Sequence, residues 1–77
     1  MAKRKPKIGD IVLYKVGEAD SSELRSNYAE VLPAIVVMVW SDECVNLKVF
    51  TDGPVDAWRT SALAGNDPYC WQFSETD

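Results

Sequence analysis

Pro33-Ala34-Ile35-Val36-Val37-Met38-Val39-Trp40 is an apolar run crowded with β-branched side chains. Such residues lose χ1 freedom in a helix and fit a pleated surface, so the run predicts a strand from Ala34 to Trp40. Its faces carry Ile35, Val37 and Val39 against Ala34, Val36, Met38 and Trp40. A strand apolar on both faces lies at the centre of a barrel or is covered on its outer side. Pro33 at its start removes only a terminal ladder donor.

Working outward, Ser41-Asp42-Glu43 is a short polar connection to a second alternating stretch, Cys44 to Thr51. There Val45, Leu47 and Val49 point one way, the expected core side, against Asn46, Lys48 and Phe50. Asp52-Gly53-Pro54 is a strong turn, since Gly tolerates φ > 0 and Pro blocks a continuing ladder. Val55 to Ser61 follows as a strand whose inner face stays open, because Trp58 shares a face with Asp56. Gly65-Asn66-Asp67-Pro68 turns the chain, with a single 3₁₀ turn expected. Tyr69 to Phe73 closes it, with Tyr69, Trp71 and Phe73 alternating against Cys70 and Gln72.

On the N-terminal side, Gly9-Asp10 precedes a strand from Ile11 to Val16. Val12, Tyr14 and Val16 are its expected inner face, with the Tyr14 hydroxyl left in water. Glu18 to Leu32 is a long first loop. Asp20-Ser21-Ser22-Glu23 resembles a helix start, and Leu24, Tyr28 and Val31 follow at helical spacing, so one or two turns of helix are expected there. Five short strands, a long first loop and tight later turns predict an all-β fold, a small five-stranded SH3-like barrel over residues 8–73. Residues 1–7 form a flexible basic arm and residues 74–77 a frayed tail in this reading. An OB-type barrel needs a helix between the third and fourth strands, and Asp52-Gly53-Pro54 leaves no room for one.

Seventy-seven residues, 47% of them hydrophobic, make one domain with one core. The net charge is −4, but Lys3, Arg4, Lys5 and Lys7 hold half of the eight basic residues. From Ile8 onward four basic residues face twelve acidic ones, a net of −8. An acidic body argues against a broad nucleic-acid surface. The two cysteines, Cys44 and Cys70, lack CxxC spacing, and there is no His to complete a zinc site, so they are expected as reduced, buried small hydrophobes. The apolar stretch Val31 to Trp40 is too short to cross a bilayer, and the basic N-terminus is followed by no apolar signal segment. A cytoplasmic location in a bacterial host, or the virion, is expected.

The absence of His removes Ser-His-Asp and Cys-His catalysis. No phosphate-cradling glycine motif is present, and the acidic pairs Asp42-Glu43 and Asp52/Asp56 sit at turns where solvated carboxylates are the ordinary case. The sequence therefore predicts no enzyme, no cofactor, no metal site and no small-molecule substrate. Aromatic residues are the better lead. Tyr14, Tyr28, Trp40, Phe50, Trp58, Tyr69, Trp71 and Phe73 exceed what one small core buries. Trp58 and Trp71, with Tyr14 or Tyr28 opposite, are the expected members of a protein-contact surface. The plainer reading has the same rings stapling the barrel ends. The alternative function is nucleic-acid binding through Lys3, Arg4, Lys5 and Lys7 with the exposed aromatics. A third is an inhibitor whose acidic body imitates phosphate.

Gly9-Asp10-Ile11-Val12-Leu13-Tyr14, Pro33 to Trp40, Val45 to Gly53, Trp58-Arg59-Thr60-Ser61 and a late Trp71 together resemble small uncharacterised proteins encoded in tailed-phage and prophage genomes. The blocks of that group look like GD-x-V-x-Y, PA-x-V-x-x-V-W, VNL-x-V-x-x-DG, W-x-TS and G-x-W. The likeness spans about Ile8 to Phe73, and the late Gly is replaced here by Tyr69-Cys70. It implies a phage accessory or virion-associated protein, with no activity and no assigned binding residues.

Overall fold

The computed structural model of the chain describes residues 5–20, 30–51 and 56–74. Five strands run as β1 (Ile11–Lys15), β2 (Val31–Val39), β3 (Cys44–Phe50), β4 (Asp56–Leu63) and β5 (Trp71–Phe73). They form one antiparallel sheet in the order β4-β3-β2-β1-β5. The described residues contain no helix. The helical turns expected in the first loop fall on residues 21–29, outside the described residues.

β2 begins at Val31, earlier than the Pro33 boundary suggests. Val36 N donates to Asp10 O at 2.9 Å, which turns the even-numbered residues of β2 toward β1 for hydrogen bonding. Pro33 therefore faces β3, whose pairing with β2 begins at Ala34–Val49, so its missing N–H interrupts no ladder there.

The core is Val12, Tyr14, Leu32, Ala34, Val36, Val45, Leu47, Val49, Ala62 and Trp71. Val12, Tyr14, Val45, Leu47 and Val49 lie inside as their alternation predicts. Simple alternation fails in β2 and β4, and both failures meet at Asn46. Val36 pairs with Leu47 but Met38 with Asn46, so Val37 is an extra residue on β2. Leu47 pairs with Arg59 but Val45 with Ala62, so Thr60 and Ser61 both oppose Asn46. These are β-bulges, which re-aim side chains and sharpen the local bend. Ser61 takes φ 55°, and beyond it Ala62 returns to the core. On β2, Met38 and Trp40 turn outward while Val39 packs on the core.

The bends curl the sheet until its two ends approach. Ala64 forms a single parallel bridge to Trp71, and Gly65 N donates to Trp71 O at 2.9 Å. The Trp71 indole N–H is shared between Ala62 O at 3.1 Å and Glu43 O at 3.2 Å. β4 and β5 do not pair as strands, so the sheet is not closed. Tyr69, expected as the first residue of the last strand, instead takes φ 73° in the preceding turn and is exposed.

Candidate contact surface

The solvent side of the sheet carries one continuous row of paired residues. Ile11 lies opposite Ile35, Ile35 opposite Lys48, and Lys48 opposite Trp58. The row therefore crosses β1, β2, β3 and β4. Its two ends are open, with Ile11 54% and Trp58 56% exposed. Leu13 and Pro33 form the next pair along, and Phe50, paired with Asp56, is also exposed. An antiparallel sheet with one wet face ordinarily alternates to polar residues there. This face also holds Lys15, Gln72 and Asp56, but the row itself is apolar except for Lys48. A contiguous patch of this kind marks an interaction site more often than scattered single residues do.

The backbone under Trp58 is held from the other face of β4. Arg59 reaches across the concave side of the sheet to Asp20, with Nη2–Oδ1 at 2.6 Å and Nε–Oδ1 at 3.1 Å. Its Nη1 donates to Trp58 O at 3.0 Å. Asp20 is buried and also accepts from Gly17 N at 2.9 Å and from the Tyr14 hydroxyl at 3.1 Å. Arg59 Nε lies 3.3 Å from the Tyr14 oxygen, and its guanidinium carbon 5.9 Å from the Tyr14 ring centre. A buried carboxylate is tolerated only when paired and fully hydrogen-bonded, and here three parts of the chain supply the donors. The cluster joins β1, the start of the first loop and β4.

Burial pushes the Tyr14 hydroxyl pKa up, and the Asp20 carboxylate pushes the same way against the opposing bond from Arg59. Burial works against the Arg59 charge, but its bonds to Asp20 and Tyr14 outweigh that and raise its pKa. Tyr14 stays neutral and Arg59 charged at neutral pH. The cluster is a latch that ties these three segments together.

A second fixed point sits beside the outer row. Asn46 Oδ1 accepts from Trp40 Nε1 at 3.0 Å, Thr60 Oγ1 at 3.1 Å and Ser61 N at 2.7 Å. One amide oxygen thus pins the β4 bulge and sets the position of the exposed Trp40 ring.

The four aromatics expected at a contact surface do not come together on one. Trp58 is exposed as expected. Tyr14 and Trp71 are 1% and 2% exposed and belong to the core, which corrects the expectation that both face a partner. Each buries because its polar atom finds acceptors: Tyr14 at Asp20, Trp71 at two carbonyls. Tyr28 lies outside the described residues, as do Lys3 and Arg4. Lys5 Nζ stands 3.8 Å from Asp42 Oδ2, and Lys7 Nζ is bound to Asp10 Oδ1 at 2.9 Å. Lys7 N also donates to Asp10 Oδ2 at 2.9 Å, so Lys7 is tied to the sheet rather than carried on a loose arm. Sequence reasoning missed Ile11, Ile35 and Lys48 as neighbours of Trp58, and missed the latch. The signal available for the row was the second apolar face of β2. Among the described residues, no group of three or more His, Cys, Asp or Glu could hold a metal ion, and no helix is long and apolar enough to cross a membrane.

No protein-family model, curated protein or solved structure matches the chain.

Proposed function

We propose that this chain is a non-enzymatic SH3-like β module that acts by protein–protein contact, as an accessory or virion-associated protein of a tailed phage or prophage. The observation that carries the contact reading is the row Ile11–Ile35–Lys48–Trp58, an apolar stripe held on a stiff sheet. The SH3-like reading is supported by the strand order β4-β3-β2-β1-β5 and by the near approach of the sheet ends at Ala64 and Trp71. The phage reading rests on the sequence resemblance alone.

The contact is with protein because the row offers apolar area with one cation, which is too little charge to track a phosphate backbone. With Lys7 held by Asp10, the surface gains no basic extension from that residue.

The test compares the unaltered chain with Ile11→Glu and Trp58→Glu by light scattering, alone and mixed with particle fractions from an induced lysogen. The unaltered chain exceeds its monomer mass or co-sediments with particles, and both variants lose that association. A strictly monomeric chain that never co-sediments removes the reading.

A further inference from the structure

A second surface lies at the far end of the curl, where β5 meets the residues after β4. It is a depression of about 180 Å³ lined by Trp71, Phe73, Ala64, Gly65, Asn66 and Asp42. That is below the roughly 300–1,000 Å³ of a pocket for a whole small molecule, and suits a single side chain. Its floor is aromatic and rigid. Trp71 and Phe73 meet edge to face, with ring centres 5.2 Å apart and planes at 87°. The Trp71 indole is fixed by Glu43 O and Ala62 O, and Gly65 N is fixed on Trp71 O. A floor already ordered loses little freedom when a partner seats on it.

The rim has a charge. Asp42 is mostly exposed at the edge of the depression, and a cation already stands beside it: Lys5 Nζ lies 3.8 Å from Asp42 Oδ2. Both side chains are open to solvent, at 74% and 65%, so the pair is weak and readily exchanged. Asn66 and the Gln72 side chain, also at the rim, are exposed amides able to donate to and accept from a peptide backbone. The chain's net charge of −4 favours basic partners on approach.

We infer that this depression binds an extended segment of a partner protein in which an apolar side chain is followed by Lys or Arg. The apolar side chain packs against Phe73 and Ala64, beside the buried Trp71, and the cation pairs with Asp42. Lys5 holds the cation position in the free protein and is displaced on binding. This surface is separate from the Trp58 row and does not depend on it.

The probe is the hexapeptide Gly-Leu-Lys-Leu-Lys-Gly, titrated up to about 5 mM into the ¹⁵N-labelled full chain, because a one-side-chain site gives affinities near the millimolar range. Matched peptides carry Glu in place of Lys, or Ala in place of Leu. The Lys–Leu peptide shifts the Trp71 indole N–H and the Gly65 and Asn66 amides, and the two matched peptides bind more weakly. Asp42→Asn weakens binding about two- to fivefold, and Lys5→Ala strengthens it by a similar or smaller factor. Trp58→Glu leaves these shifts unchanged, which separates this site from the outer row. Equal binding by the Glu peptide, insensitivity to Asp42→Asn, shifts confined to the Trp58 indole, or no shift at all would each overturn the inference.

Discussion

The Tyr69 ring lies against Gly17 so closely that a methyl group on the glycine would overlap ring atoms Cε1 and Cζ. The contact is held from both sides. Tyr69 N donates to Lys15 O at 2.8 Å, and the Tyr69 hydroxyl accepts from Ala19 N at 2.8 Å. The turn before β5 and the start of the first loop are thereby locked to each other through an aromatic ring on bare backbone.

Gly17→Ala is therefore expected to cost about 1–3 kcal/mol, the usual penalty of overpacking a tight contact. Urea unfolding monitors it. Adding Tyr69→Ala to Gly17→Ala removes the overlap, so the double variant loses less than the sum of the two single changes. Simple additivity would show that the ring does not press on Gly17.

Arg59→Met is expected to cost about 2 kcal/mol. Removing one member of a fully buried pair costs roughly 3–5 kcal/mol. The figure is reduced here because the Arg59 side chain keeps 30% exposure, while Asp20 keeps 4%. Asp20→Asn with Arg59→Met should recover part of the loss, since no uncompensated charge remains. A double-mutant cycle by chemical denaturation measures it, and a coupling near zero would remove the latch.

The alkaline limb of stability should belong in part to Tyr14. Burial raises its folded pKa above the ordinary value of 10.0. A raised pKa means the folded state holds the proton more tightly. Its contribution is complete below pH 10.0 and is lost as pH rises through the folded value. Midpoints of thermal unfolding between pH 8 and about 11 should fall at the high end, and Tyr14→Phe should flatten that fall.

Asn46→Ala is expected to cost about 2–3 kcal/mol, because it strips the acceptor from Trp40 Nε1, Thr60 Oγ1 and Ser61 N together. The readout is unfolding stability alongside indole N–H chemical shifts. The Trp40 signal should move toward its solvent-exposed position and the Trp71 signal should not.

Trp58→Glu should change stability by no more than about 0.5 kcal/mol, as expected of an exposed position. Ring and strand neighbours on the core side are untouched, since Trp58 faces Lys48 on the solvent side. A large loss of stability would mean that the ring is a structural cover and not a contact residue.

The strands were legible wherever the pattern was local. Val45, Leu47 and Val49 alternate with residues that include polar ones, and a period of two leaves one solution. Alternation misled in β2 and β4, where Asn46 faces a bulge on each neighbouring strand. That outcome depends on a side chain meeting two partners, and no window of either strand alone encodes it. Asp20 read as part of a helix start because its sequence neighbours are polar, whereas its partner Arg59 lies 39 positions away. Trp71 read as surplus aromatic surface because the carbonyls that satisfy its indole come from Glu43 and Ala62, distant in sequence. Trp58 was expected at the surface from the surplus of aromatic rings, while the inner face of its strand stayed open because it shares a face with Asp56.

The bulge at Thr60 and Ser61 has a consequence at the margin of the sheet. β4 is a terminal strand, and a straight terminal strand is a template on which stray chains add ladder after ladder. Here the Ser61 kink interrupts the template partway along, and Arg59 directs its charge toward the interior beside it. A stranger aligning on β4 would meet a broken register and a cation already spoken for. The molecule can thus carry a greasy outer stripe at high concentration with its zipper teeth filed down, and fibrous aggregation is discouraged where it would otherwise begin.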